Sequence, residues 1–169
     1  MRQSTKQQGR AFRLKRWFEA PREAVFNAWT KEEVLRQWWC PEGWEMVEIK
    51  MDLRVNGSFR IGMCRLTGGI PVYVRGVFQE VRSPERLVYT WQWENAFEQM
   101  PETLVIVEFR ELGPATELLL THENLPEIPI CLQHRSGWLA VLDRIEGILA
   151  ALSPTELDRF TVQSGSAKP

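Results

Sequence analysis

The chain has 169 residues, 44% of them hydrophobic and 25% charged, the balance of a single soluble globular domain with a sizeable core. Its 21 basic and 22 acidic side chains leave a formal net charge of -1, which argues against a nucleic-acid partner, because that needs a basic surface. No apolar run approaches the roughly 18 residues that would span a bilayer, and Met1 to Arg10 is too polar for a secretory signal, so the cytoplasm is the expected location.

Residues 1–9 read as a polar, disordered leader. Arg10 to Ala20 alternates and suits a first strand. Pro21 opens a helix with Val25, Phe26 and Trp29 on one face. Thr30 and Glu33 have the spacing of a capping box for a second short helix carrying Val34, Leu35 and Trp38. Six strands follow. Trp44 to Leu53 is joined to Gly57 to Leu66 at Asn56-Gly57, a hairpin signal in which both residues tolerate positive φ. Phe59, Ile61 and Met63 share one face. Gly68-Gly69 turns the chain into Val72 to Val81, where Gly76 predicts a bend or bulge. After Ser83-Pro84-Glu85, the residues Leu87, Tyr89, Trp91 and Trp93 share a face. Asn95 to Pro101 is a loop. Leu104 to Leu112 and Thr116 to His122 form the last hairpin, around Gly113-Pro114, with Leu118, Leu120 and His122 on one side.

From Ile130 to Leu149 the apolar positions Ile130, Trp138, Val141, Leu142, Ile145 and Leu149 fall on one face of a helix of about five turns. His134 shares that face. Gly137 lies in the helix interior, at a cost of about 1 kcal/mol relative to Ala. A helix with polar and backbone-exposing residues on its inner face is not packed solid, and the spacing predicts a cavity between helix and sheet. Ser153-Pro154-Thr155-Glu156 is a second capping box, predicting a helical turn or two before a flexible tail. The domain thus runs over residues 10–152, with 153–169 appended. The element order gives an α+β class, helices segregated from an antiparallel sheet.

Ala20-Pro21-Arg22-Glu23-Ala24-Val25-Phe26 resembles the start of an Hsp90-ATPase-activator-like (AHSA1-type) domain of the START/SRPBCC superfamily. Gln37-Trp38-Trp39-Cys40-Pro41-Glu42-Gly43-Trp44, Met51 to Phe59, Arg75-Gly76-Val77-Phe78 and Pro84 to Trp91 fit the same pattern, as do Leu120-Thr121-His122 and Gly137-Trp138. The likeness covers about residues 10–150. It implies a helix-grip (START/Bet v 1-like) fold, a curved antiparallel sheet of about seven strands around a long C-terminal helix, with a hydrophobic cavity between them. The family's eukaryotic co-chaperones carry an additional N-terminal domain. Only about ten residues precede the first strand here, which counts against an Hsp90-type chaperone as partner.

Two histidines, His122 and His134, are expected to face that cavity, where they could hold a polar headgroup or act as acid and base. The bland alternative is a pair of histidines bonded to backbone or water. Of the eight tryptophans, Trp39, Trp44, Trp91, Trp93 and Trp138 are candidates for the wall of a site for a flat or greasy ligand, with Met63 as an adaptable addition. Arg75, two residues after Tyr73, is a weaker anchor candidate, more simply a solvent-facing Arg paired with an acid. Cys40, Cys64 and Cys131 form no close pair and read as free thiols. No catalytic residues, cofactor or metal site are predicted, since no motif for a nucleophile, zinc, phosphate or dinucleotide is present. The preferred expectation is a binding protein for a hydrophobic small molecule, its homodimerisation left open. The alternatives are a stress- or chaperone-linked interaction module, or an enzyme acting on a hydrophobic substrate in the same cavity.

Overall fold

The structure is a computed structural model that describes residues 9–97 and 100–162. Most of the leader and the tail beyond residue 162, both expected from the sequence, lie outside the described residues. Strand β1 (Arg10–Phe18) is followed by helices α1 (Arg22–Thr30) and α2 (Glu32–Trp38). Then come β2 (Trp44–Met51), β3 (Ser58–Arg65), β4 (Val72–Arg82), β5 (Arg86–Glu94), β6 (Thr103–Leu112) and β7 (Ala115–Leu125). Helix α3 (Ile128–Ala151) and helix α4 (Pro154–Val162) complete the fold. All seven strands form one sheet, in the order β1-β7-β6-β5-β4-β3-β2, and every pairing is antiparallel.

Alternation decides which face is buried. Phe59 and Ile61 on β3, Leu87, Tyr89 and Trp91 on β5, Val105, Val107 and Phe109 on β6, and Leu118 and Leu120 on β7 all point to one side. Register shifts in β1/β7, β2/β3 and β4/β5 bend the strands and curve the sheet. Helix α3 lies in that curve. At one edge of the sheet, Arg16 on β1 reaches both Asp143 (2.6 Å) and Glu146 (2.7 Å) on α3.

Several local expectations are corrected. Thr30 does not cap α2, because α1 runs through it and its hydroxyl donates to the Phe26 carbonyl; Lys31 stands at the cap position instead. The link between β2 and β3 is a wider loop rather than a two-residue hairpin. Only Asn56 takes a left-handed φ, of 64°. Gly57 is needed there for space, since a Cβ would collide with the Asp52 carbonyl oxygen. The bulge in β4 lies between Phe78 and Glu80, beyond Gly76. The second capping box forms as its spacing predicts: the Ser153 backbone N–H donates to Glu156 Oε2 (2.8 Å) and the Glu156 N–H donates to Ser153 Oγ (3.3 Å). It starts a helix of nine residues, longer than the turn or two predicted. Helix α4 packs on α1, where Asn27 Nδ2 donates to the Phe160 carbonyl.

Gly76 is a point of close approach. A Cβ there would collide with the Thr90 carbonyl oxygen and sit 2.5 Å from the Phe59 ring. A main-chain carbonyl in a sheet cannot step aside, so Gly76→Ala is expected to destabilise the fold by about 1–3 kcal/mol. Urea unfolding that shows Gly76→Ala equal to the natural chain would refute this.

Candidate functional site

The inner stripe of α3 consists of His134, Trp138, Leu142, Ile145 and Leu149, spaced three or four residues apart. Two of these make polar bonds to the sheet. Trp138 Nε1–H donates to His122 Nδ1 on β7 at 3.1 Å. An indole nitrogen only donates, so Nδ1 must present its lone pair and the imidazole proton sits on Nε2. That proton faces Thr103 Oγ1 on β6 at 2.8 Å, and the Thr103 hydroxyl donates to the Trp91 carbonyl on β5 at 3.1 Å. One chain of hydrogen bonds therefore crosses the helix and three strands. A second is built alike. Trp93 Nε1–H on β5 donates to His134 Nε2 at 3.0 Å, which places the His134 proton on Nδ1, donating to the Ile130 carbonyl at 2.9 Å.

Both rings are thus neutral and fully bonded. Their centroids are 5.3 Å apart. Burial pushes the His122 pKa down to about 3, with His134 adding to the effect, and burial lowers His134 as well.

Beside this bonded stripe a cavity of about 370 Å³ opens between α3 and the sheet. The sheet side is formed by Trp44 on β2, Met63 on β3, Val72 on β4 and Trp91 and Trp93 on β5. Trp39, just past α2, closes one end, with its ring 5.6 Å from that of Trp91. The Phe97 ring also lines the cavity, tilted against that of Trp93 at 5.3 Å. From α3 come His134 and Trp138, and then Gly137, Ala140, Val141 and Arg144 on the neighbouring stripe. The space beside Gly137 is open, since a Cβ there would meet nothing within 4 Å. Deeper in, the interior is filled by indoles: Trp29 lies parallel to Trp138 at 5.7 Å, and Trp38 packs on Trp29 at 5.4 Å. Only a void of about 20 Å³ remains there.

The structure therefore brings Trp39, Trp44, Met63, Trp91, Trp93, His134 and Trp138 around one cavity. His122 does not reach it. That ring is fully buried behind Trp138 and holds it in place. Arg75 and Tyr73 face outward: Arg75 pairs with Glu94 (3.3 Å), and the Tyr73 ring lies under the Arg60 guanidinium (3.6 Å). The sequence reading missed Val72, Phe97 and Arg144. Arg144 could have been found, because it lies one heptad after Gly137 on the same side of the helix. The cysteines are free. Burial pushes the Cys40 thiol up to about 11, so it is no thiolate nucleophile.

An antiparallel sheet curved around one long helix, with an indole-lined cavity at their junction, defines a protein of the helix-grip class. Residues 19–150 match the family described as Activator of Hsp90 ATPase homolog 1-like protein, and the chain belongs to that family. A solved structure from Chromobacterium violaceum is similar at 25% identity and a TM-score of 0.74, covering 82% of this chain and 96% of that one. The AHSA1 protein of Silicibacter pomeroyi is 27% identical, with a TM-score of 0.73 and coverage of 83% and 98%. An HSP90 activator from Plasmodium falciparum is 27% identical, with a TM-score of 0.65 and coverage of 84% and 97%. No curated protein matches the chain. Among the described residues, no helix is long and apolar enough to cross a membrane.

The lowered pKa of His122 makes stability depend on pH. Between about 3 and about 6.5 the unfolded chain holds a proton at this ring that the folded chain rejects. The contribution is whole above about 6.5 and shrinks as pH falls toward about 3. At pH 5 the loss from this ring alone is about 2 kcal/mol. Urea unfolding at pH 7.5 and pH 5 should show it, with a smaller drop for His122→Gln; equal drops in the two proteins would contradict the assignment.

Proposed function

We propose that this protein binds a hydrophobic small molecule in the cavity beside α3. The observation that carries the reading is an open volume of about 370 Å³ walled by six indoles, Met63 and Phe97. Small-molecule sites span roughly 300–1,000 Å³ and are mostly apolar, with few polar groups. Flat aromatic walls suit a flat or extended apolar ligand through stacking and area burial. Binding is favoured over catalysis by the state of the histidines. His134, the one that reaches the cavity, already spends both ring nitrogens on Trp93 and Ile130, so it has no free acid or base function to offer.

The HSP90 activator from Plasmodium falciparum, at 27% identity, supports a second reading in which the domain engages an Hsp90-type chaperone. Stimulation of Hsp90 ATP hydrolysis by the purified chain, unaffected by blocking the cavity, would favour that reading.

The neutral probe N-phenyl-1-naphthylamine tests the first reading. Its fluorescence is expected to rise saturably with the natural chain. Gly137→Trp places a ring in the open space beside the glycine and should weaken the probe by about tenfold or more, with circular dichroism unchanged. No rise with the natural chain, or equal binding by Gly137→Trp, would defeat the proposal.

A further inference from the structure

We propose that the ligand of this cavity is an apolar carboxylate, its body lying among the indoles and its headgroup on the guanidinium of Arg144. The inference rests on the cavity reading above and adds the chemistry of the ligand's polar end.

Arg144 brings the one formal charge among the residues lining the cavity; no Asp or Glu is among them. Its Nε donates to the Trp38 carbonyl at the end of α2, at 2.6 Å, which fixes the guanidinium beside the site. That bond uses one of five N–H donors. No ion pair reaches the other four among the described residues. Elsewhere in the molecule half-buried arginines are treated differently. Arg60 holds Glu48 and Glu94, and Arg86 holds Glu80 and Glu108. Cys40 and Asp143 act on Arg144 through space, but burial pushes the Cys40 thiol up to about 11, leaving it neutral, and the Asp143 carboxylate is held by Arg16 at 2.6 Å.

Burial disfavours the Arg144 charge and lowers its pKa. A desolvated cation in an apolar wall is stabilised by an anion that enters with the ligand. The remaining donors of a guanidinium form a planar fork that matches a carboxylate in two parallel bonds. One positive charge also calls for one negative charge. A phosphate dianion would leave excess charge in a wall that offers no second cation. The apolar length of the cavity, from Trp39 and Trp138 toward Phe97, then sets a bulky hydrocarbon body behind the headgroup.

Titration calorimetry of the full chain with 2-naphthoate, 2-naphthalenemethanol and 2-naphthylmethylammonium tests this. The three share one ring body and differ in charge. The acid is expected to bind about tenfold or more tighter than the alcohol, and the ammonium weakest. Arg144→Gln should collapse the acid-to-alcohol ratio toward one, and Arg144→Lys should restore part of it. Equal binding of acid and alcohol by the natural chain, tighter binding of the ammonium, or a ratio that survives Arg144→Gln would overturn the carboxylate assignment while the cavity reading stands. Binding of none of the three would overturn both. Since Arg144 also ties down the end of α2, circular dichroism checks the fold of the variants. Should they fail to fold, the ratio measured on the natural chain decides.

Discussion

The hydrogen bond from Trp138 to His122 governs how the long helix sits on the sheet. Most of the helix–sheet contact is apolar and could slide, because the hydrophobic effect is non-directional. An indole N–H and an imidazole lone pair buried together cannot slide without leaving both unsatisfied, a penalty of about 1–3 kcal/mol for each group. Thr103 and the Trp91 carbonyl extend this constraint across β6 and β5. The position of α3 along the sheet is thereby tied to the register of three strands. The second bond, Trp93 to His134, repeats the device one helical turn earlier, so the helix is fixed in rotation as well as in translation.

The same two bonds shape the cavity. A helix against a curved sheet makes contact along one line and diverges on either side of it. On the side toward β1, the gap is closed by the bonds from Arg16 to Asp143 and Glu146. On the side toward β2–β5, the facing positions on the helix are Gly137, Ala140 and Val141, which are too small to fill it. Trp93 stands across the gap with its N–H held by His134, and the Trp91 ring packs between those of Trp39, Trp93 and Trp138. The wall is thus made of large rings that cannot collapse inward. This is why a chain with eight tryptophans still has open volume beside α3.

Most of this architecture was legible in the chain itself. Alternation along Leu87, Tyr89, Trp91 and Trp93 placed them on one face, and the spacing from Ile130 to Leu149 gave the inner face of α3, although Ile130 and Val141 stand half-buried beside the stripe that meets the sheet. The histidines were read only in part. Sequence placed both on inward faces, but depth along that face depends on which ring lies in front, and Trp138 lies in front of His122. Thr30 was misread because a hydroxyl can satisfy either the helix behind it or the one ahead, and the choice depends on where α1 ends. Asn56-Gly57 has the composition of a tight turn, yet Gly57 is present because Asp52 comes too close for a side chain. Such approaches are tertiary and leave no periodic trace. Arg144 was overlooked for another reason: a charge among apolar neighbours is usually solvent-facing, and its lack of a carboxylate can be seen only in three dimensions.

Helix α3 presents two adjacent stripes, one bonded to the sheet and one lining the cavity, and their spacing couples them. His134 and Trp138 hold the helix to the sheet, while Gly137, Val141 and Arg144 stand about one turn apart beside them. Any molecule filling the cavity must lie against the Trp93 and Trp138 rings, the same groups whose N–H bonds fix the helix. Contact with a ligand therefore adds to the interactions that dock α3 instead of competing with them, since the N–H groups are already occupied and the ring faces are what remains. Occupancy then favours the folded chain by mass action, in proportion to RT ln(1 + [L]/Kd). Filling the gap with protein would achieve the same stabilisation permanently. Gly137 in mid-helix costs about 1 kcal/mol relative to Ala, and under the binding proposal that part of the stability would be supplied by the ligand.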